Sequence, residues 1–448
     1  MKYLNSIVSD QQVKNIKEWK WLIVLSALSL LFGFHAFLDI AVIIAMIICL
    51  LLMDIEQLFF SFVLLYFFEE ILCLENIYGI SIVVMTPIIA LRLLWHMYKN
   101  RIIPKKKEFV IFGFTCFSGV MSILSHNFGK ATLVVIMTIT VALLFKVILQ
   151  KQSNYIRILD GLAITIAIAS TGTVLYGFLH NNYLNENRGD RFILRFNGAY
   201  EPNYTALFCN LGILASFSYR KKMGYFWSAY LILINLIGLL LTRSTTGLGV
   251  FVILLFIITI RNINYIKRNL KIFLKGQDRF NTLINAFIFV LILLELAAIV
   301  FIFEYKTGFI SGKLLMIIER VRSGNISSAS SGRLPIIRAF LKSLNEENIL
   351  IKLFGNAPQS LKVYSKYFAD YKYAHNTYID LIYSFGYIGG SVIFLLSVFK
   401  TVKGYFLNKK FKRKERKEFL LFSRLIIFIS GFMLSLHCEV ITIILFLL

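Results

Sequence analysis

Ile40-Ala41-Val42-Ile43-Ile44-Ala45-Met46-Ile47-Ile48-Cys49-Leu50-Leu51-Leu52-Met53 carries no charge and no hydrogen-bonding side chain apart from its one thiol. A surface helix of a soluble protein shows a polar position every turn, and a half-buried strand alternates polar with apolar. This run does neither, so every face of the segment is apolar. Further mainly apolar runs such as Ile77–Leu94 and Leu283–Phe303 recur at intervals of roughly one bilayer crossing and a short turn. The whole chain has the same character: 448 residues, 58% hydrophobic, 16% charged, with mean hydropathy +0.73. Too few charges remain to coat a soluble core. The expected fold is all-α and polytopic, with about 12–14 transmembrane helices and one large extracytoplasmic loop containing short amphipathic helices.

The formal charge of +24 would suggest nucleic acid in a soluble protein. Here the basic residues fall in short loops, where they orient helices and meet anionic headgroups, so no nucleic-acid partner is expected. Lys2, Lys14, Lys17 and Lys20 place the N-terminus inside. Spans near Trp21–Phe37, Ile40–Met53 and Leu58–Phe68 then lead to an acidic outer turn at Glu69, Glu70 and Glu75. Alternation continues through Ile77–Tyr98, Phe109–Leu124, Ala131–Leu149, Ile158–Leu179, Pro202–Tyr219, Tyr225–Leu241, Leu248–Ile260, Leu283–Phe303 and Asn376–Phe399, followed by a C-terminal crossing. Every short basic loop lands on one side, as the charge rule requires. Trp21–Phe37 has no small-residue cleavage site after it and reads as a retained helix. Four regions follow: N-terminal spans over 1–180, spans with outer arginine-bearing loops over 181–305, the large outer loop over 306–375, and C-terminal spans over 376–448.

Five cysteines lie in apolar runs without paired spacing, which suggests neither a disulfide framework nor a zinc site. Ser327–Gly332 reads as a flexible link. No P-loop, dinucleotide glycine motif or Asp-x-Asp is found, and the outer segments lack metal-ligand spacing. No cofactor and no metal are expected.

Three polar segments share the outer face: Asn181–Glu201, Thr242–Thr246 and Glu304–His375. They carry Arg188, Arg191 and Arg195, then Arg243, then Arg320, Arg322, Arg333 and Arg338. Arginine forks together with helix N-termini suit phosphate or diphosphate oxygens, and the same arginines would also suit lipid headgroups. Glu201-Pro202-Asn203 reads as a helix start, with Asn203 just inside it. Thr377-Tyr378-Ile379-Asp380 resembles a capping box. His375 precedes it, as a structural interfacial residue or as a proton acceptor near neutral pH. Leu334–Asn345 places Ile336, Ile337, Phe340, Leu341 and Leu344 at helical spacing, as in an amphipathic helix on the outer surface. Tyr364, Tyr367, Tyr371 and Tyr373 read as an interfacial belt or as a stacking surface for sugars. Glu295, inside an apolar run, must face a partner or water.

Taken in order, Arg195-Phe196-Asn197-Gly198, Glu201-Pro202-Asn203, Leu241-Thr242-Arg243-Ser244-Thr245-Thr246-Gly247, Ser331-Gly332-Arg333, Leu353-Phe354-Gly355 and Ala374-His375-Asn376-Thr377-Tyr378 resemble the O-antigen ligase/polymerase (Wzy-type) family over Phe192–Gly390. The resemblance implies a bacterial inner-membrane, metal-independent glycosyltransferase whose donor is an undecaprenyl-diphosphate-linked oligosaccharide. It implies diphosphate contacts from Arg195 and Arg333 and acceptor activation by His375. Around these catalytic candidates stand Arg191, Asn203, Arg243, Arg338, Asn376 and Tyr378 as candidate substrate contacts. A flippase and a chain-length regulator are the implied partners. One departure is plain: the family pattern often places arginine after Thr-Ser, whereas here Arg243 comes before Ser244. A two-residue shift on a helix turns a side chain by about 200°. The expected activity is polymerisation of lipid-linked repeats. The alternatives are a ligase using the same motifs, a flippase or exporter of the same lipid-linked sugar, and a structural member of an assembly complex.

Overall fold

The computed structural model describes residues 10–69, 82–124, 130–152, 155–188, 191–199, 201–256, 322, 333–355, 375–406, 414–432, 434, 436 and 442. Leu283–Phe303 with Glu295, Arg320, Ser327–Gly332 and the tyrosines from Tyr364 to Tyr373 lie outside them. The chain divides into two compact units, Met1–Gly247 with Ile336–Leu448, and Leu248–Pro335.

The described chain is mostly helical. In order come α1 (Asp10–Leu30), α2 (Ala36–Leu52), α3 (Ile55–Tyr66), α4 (Ile82–Lys99), α5 (Lys106–Leu124), α6 (Lys130–Gln152) and α7 (Tyr155–Leu179). Strands β1 (Tyr183–Arg188) and β2 (Arg191–Phe196) precede α8 (Pro202–Ser218), the single turn α9 (Arg220–Met223) and α10 (Tyr225–Leu241). Then follow α11 (Thr245–Phe256), α12 (Arg333–Glu346), α13 (Ile349–Phe354), α14 (Thr377–Phe406) and α15 (Lys414–Ser430). Among these, Arg157–Leu179 and Thr377–Val402 are long and apolar enough to cross a membrane.

The opening run forms α2 and is apolar on both sides. Val42, Met46 and Leu50 are buried, while Phe37, Ile40, Ile44, Ile48 and Leu52 face outward. Its ends are secured by polar groups. His35 accepts from the Phe37 amide at the N-terminus, and the Arg92 guanidinium donates to the Leu50 and Met53 carbonyls at the C-terminus. A cation at that end also complements the helix dipole. Asp54 then opens α3 with a capping box closed by Gln57.

Helix α7 is largely buried, in contact with α8 and α10. Small residues let the three come close: a Cβ at Gly212 would lie 2.0 Å from Ser170 Oγ, and one at Gly238 2.5 Å from Val174 Cγ2. Asn235 donates to Thr171 Oγ1 and to the Leu231 carbonyl, each at 2.8 Å. Lys222 pairs with Asp160 where α9 meets α7.

Several expectations are corrected. Asn181–Glu201 is not a plain loop, and the fold is not purely α. β1 and β2 form an antiparallel hairpin from Tyr183↔Phe196 to Arg188↔Arg191. Two strands alone are marginal, so the base is fastened elsewhere. Asn182 Nδ2 donates to the Gly198 carbonyl at 3.0 Å, Asn197 N to the Asn182 carbonyl at 3.1 Å, and Thr205 Oγ1 to the Asn197 carbonyl. Phe196, fully buried, packs its ring 4.9 Å from Phe178.

The amphipathic stripe on α12 is real, but it does not serve a surface. Ile336, Phe340 and Leu344 are buried with Met121, Ile351 and Tyr383 in one cluster. Protein, rather than the bilayer interface, covers this face. Finally, the span expected over Asn376–Phe399 is interrupted. Gly386 has φ 69° and ψ 178° inside α14. A Cβ at Gly390 would lie 2.7 Å from Ile382 Cα, although residues eight apart in a straight helix are separated by about 12 Å. The chain therefore turns sharply at Gly386.

Candidate functional site

Sequence-predicted residues gather at two stations, each built by a tertiary contact between distant segments. The first joins the hairpin, the start of α8 and the α10–α11 turn. Arg195 lies on β2, paired with Leu184, on the strand face opposite buried Phe196. It is only 7% exposed. Its Nε donates to the Thr242 carbonyl at 3.0 Å and its Nη2 to Asn203 Oδ1 at 3.1 Å. These two neutral acceptors fix the orientation of the guanidinium. Thr242 is the C-cap of α10, and a cation suits that helix end.

Asn203 sits in the first turn of α8, behind Pro202. Its Oδ1 also accepts from Ser244 Oγ at 2.9 Å. Ser244 caps α11, since its Oγ accepts from the Gly247 amide at 3.1 Å. The Thr-Arg-Ser segment is thus a tight corner: Thr242 ends one helix, Arg243 turns in the left-handed region (φ 49°), and Ser244 starts the next. Arg243 therefore lies at the turn, one residue from the Thr242 carbonyl that Arg195 holds. Thr242 and Ser244 are working members of this station that were not singled out as site residues. Their signal was local: two hydroxyl residues flanking an arginine between apolar runs.

The second station joins the start of α14 to the end of α15. Asn376 is the N-cap, its Oδ1 accepting from the Tyr378 and Ile379 amides at 3.1 and 3.2 Å. This corrects the capping-box expectation, because Thr377 is occupied elsewhere. Thr377 N donates to the Gly431 carbonyl at 2.7 Å, and Thr377 Oγ1 donates to the Leu434 carbonyl and accepts from the Leu436 amide. Asn376 Nδ2 donates to the Phe432 carbonyl at 3.2 Å. Tyr378 donates to the Phe428 carbonyl at 2.6 Å.

His375, half-buried, has φ 50°. Four non-glycine residues among those described share this left-handed conformation: Arg101, Asn181, Arg243 and His375. The first three follow helices, where such a residue is a common terminator. His375 instead precedes one. Non-glycine residues enter this region at a penalty of roughly 1–3 kcal/mol, held there by their surroundings and concentrated at functional positions.

The two stations are formed separately. Hydrogen bonds of Arg195 and Asn203 run to Thr242 and Ser244, whereas those of Asn376, Thr377 and Tyr378 run to the Phe428–Leu436 stretch. Arg333 is the first residue of α12. Arg338 is exposed on that helix, opposite its buried stripe. Arg191 opens β2 across from Arg188. Among the described residues no group of three His, Cys, Asp or Glu side chains is placed to hold a metal. Comparison of the chain with family models, with curated proteins and with solved structures found no match to any of them.

Proposed function

We propose that this chain is a polytopic glycosyltransferase of the bacterial cytoplasmic membrane, with its N-terminus inside. In this reading it joins undecaprenyl-diphosphate-linked oligosaccharide repeats on the outer face, without a metal. A membrane setting is supported by the inverted distribution of polarity. Trp95, Tyr98, Phe109, Val110, Phe226, Trp227, Leu395 and Phe399 are each more than half exposed, while Asp39, Asp160, Arg195, Asn210, Asn235 and Arg424 are buried. Water would penalise the first set and lipid would penalise the second if it were turned outward. Tyr225-Phe226-Trp227, beside Arg220 and Lys221, fits an interfacial aromatic belt.

The single observation that carries the enzymatic reading is the Arg195–Asn203–Ser244 network. Three motifs that are separate in sequence, each part of the family resemblance, meet through one asparagine oxygen. Sugar transfer from a polyprenyl diphosphate builds negative charge on the departing diphosphate. A guanidinium held in advance stabilises that charge, and one such contact is typically worth about 10²–10³-fold in rate. His375 takes the proton of the attacking hydroxyl, worth about 10²–10⁴-fold. Arg333, Arg191, Arg243 and Arg338 are further candidate contacts for the anionic groups of the substrate.

Glycan length in cells carrying His375→Ala or Arg333→Ala tests the proposal. Short or absent polymer is expected from both, and normal polymer from both overturns it. Accumulation of single repeats on the lipid carrier supports polymerase. Long polymer left on the carrier supports ligase, and repeats trapped on the inner leaflet support the flippase alternative.

A further inference from the structure

The turn after α15 presents an exposed aromatic ring whose backbone carbonyl is bonded by Asn376, the residue that follows the strained histidine. Phe432 directly follows Gly431 and is 49% exposed. Two other rings fix its orientation from within: Tyr378 at 4.6 Å with planes tilted by 57°, and Phe428 at 5.7 Å, edge-on at 88°. Its backbone is tied to the His375 segment by Asn376 Nδ2, and the Gly431 carbonyl is tied to the same segment by the Thr377 amide. Any motion of the α14 start therefore carries Phe432 with it.

We propose that Phe432 is a stacking platform for a pyranose ring of the acceptor glycan, placed so that the sugar's hydroxyls fall toward His375 and Asn376. This rests on the glycosyltransferase reading above and names the group that orients the acceptor. The chemistry follows from the surfaces. One face of a pyranose is lined with C–H groups and matches the negative face of an aromatic ring, while its rim of hydroxyls requires polar partners. Phe432 supplies the ring, buttressed so that little side-chain freedom is lost on binding. His375 and Asn376 supply the polar rim. The hydrogen bonds from Asn376 and Thr377, the two residues that follow His375, are the ones that fasten the backbone of the platform, so base and acceptor share one frame. Phe432 acts as a positioning residue; the proton transfer belongs to His375.

A ring whose only role is to meet lipid is replaceable by leucine, whereas a sugar platform is not. The test uses the full-length protein in lipid nanodiscs and saturation-transfer-difference NMR. The probes are the methyl pyranosides of glucose, galactose, rhamnose and N-acetylglucosamine. At least one should receive saturation, strongest on the C–H protons of a single face. Phe432→Leu should weaken that binding about tenfold and Phe432→Trp should preserve it. Tyr387→Phe, which removes only the hydroxyl bonded to Asn345, controls for general perturbation of α14 and should leave binding unchanged. Absence of binding by the whole panel, or equal binding by the leucine variant, overturns the platform. Glycan length in cells separates this outcome from failure of the enzymatic reading. Loss of polymer in His375→Ala with full length in Phe432→Leu sinks the platform alone, while normal polymer in His375→Ala sinks the reading beneath it.

Discussion

Gly355 and Gly386 lock two chain segments together backbone against backbone. A Cβ at Gly355 would lie 2.2 Å from the Ser384 carbonyl oxygen, and one at Gly386 would lie 2.3 Å from the Leu353 carbonyl carbon. Both glycines also have positive φ, 88° and 69°. Each is thus required twice, for conformation and for space. The contact seats α13 on the broken helix α14 and completes the cluster under α12, on the same helix whose start carries His375.

Alanine at either glycine should therefore be disruptive. Gly355→Ala and Gly386→Ala each force a side chain into backbone atoms that cannot yield. Each should lose about 2 kcal/mol or more, read as a lower thermal unfolding midpoint of the detergent-solubilised protein. Gly113→Ala is the control, because a Cβ there meets nothing within 4 Å. It should be neutral or stabilise by up to about 1 kcal/mol through helix propensity. Equal behaviour of all three variants would contradict the interlock.

Arg195 and Asn203 should behave as one unit. Arg195→Lys keeps the charge but cannot reproduce the fork that reaches both Thr242 and Asn203. A loss of about 1.5–3 kcal/mol is expected. Asn203→Ala removes the oxygen shared by Arg195 and Ser244, and the double variant should lose clearly less than the sum of the singles. Strictly additive unfolding midpoints would show that the network is not cooperative.

The Lys222–Asp160 pair should tie α9 to α7. Asp160→Asn leaves a cation beside a largely buried amide and should destabilise by about 1–3 kcal/mol. Exchanging both residues, Asp160→Lys with Lys222→Asp, should recover part of that loss. Failure of the exchange to improve on Asp160→Asn would place the effect in packing rather than charge.

The proposed orientation puts the hairpin and the α4–α5 connection on opposite sides of the membrane. In a background with the native cysteines replaced, Leu184→Cys on β1 should react in intact cells with a membrane-impermeant maleimide. Ile103→Cys should react only after lysis. The two side chains are 40% and 68% exposed, so accessibility within the protein does not limit either. The reverse pattern would invert the topology and remove the arginines from the outer face.

The Asn376 cap holds the start of α14. Asn376→Ala should lose about 1 kcal/mol, and Asn376→Asp, which keeps the accepting oxygen, should lose less. Hydrogen exchange at the Tyr378 and Ile379 amides reads this directly. Unchanged protection in Asn376→Ala would show that another group caps the helix.

Helix existence and apolar character were legible from residue order, because both depend on local patterns. Ile40–Met53, Tyr225–Leu241 and the α12 stripe all became helices near their expected limits. Pro202 opened a helix, and the residues bracketing Arg243 ended and began helices, since caps and proline act over a single turn. The hairpin escaped notice because Asn185-Glu186-Asn187-Arg188-Gly189-Asp190 reads as polar connection. Its strand state is fixed by Asn182, Asn197 and Thr205, which lie outside that stretch. Helix α14 looked continuous because Gly386 in an apolar run is an ordinary membrane residue; contact with Leu353 and Phe354, some thirty positions earlier, requires the break. Asn203 is legible in the sequence as a polar residue just inside a helix start, yet its partners on β2 and before α11 come from segments 8 and 41 residues away. Hydrophobic pattern and capping chemistry are properties of neighbours along the chain. The pairing of Arg195 with Thr242, of Asn376 with Phe432, and of Gly355 with Gly386 arises only when packed helices bring remote backbones within hydrogen-bonding or van der Waals distance.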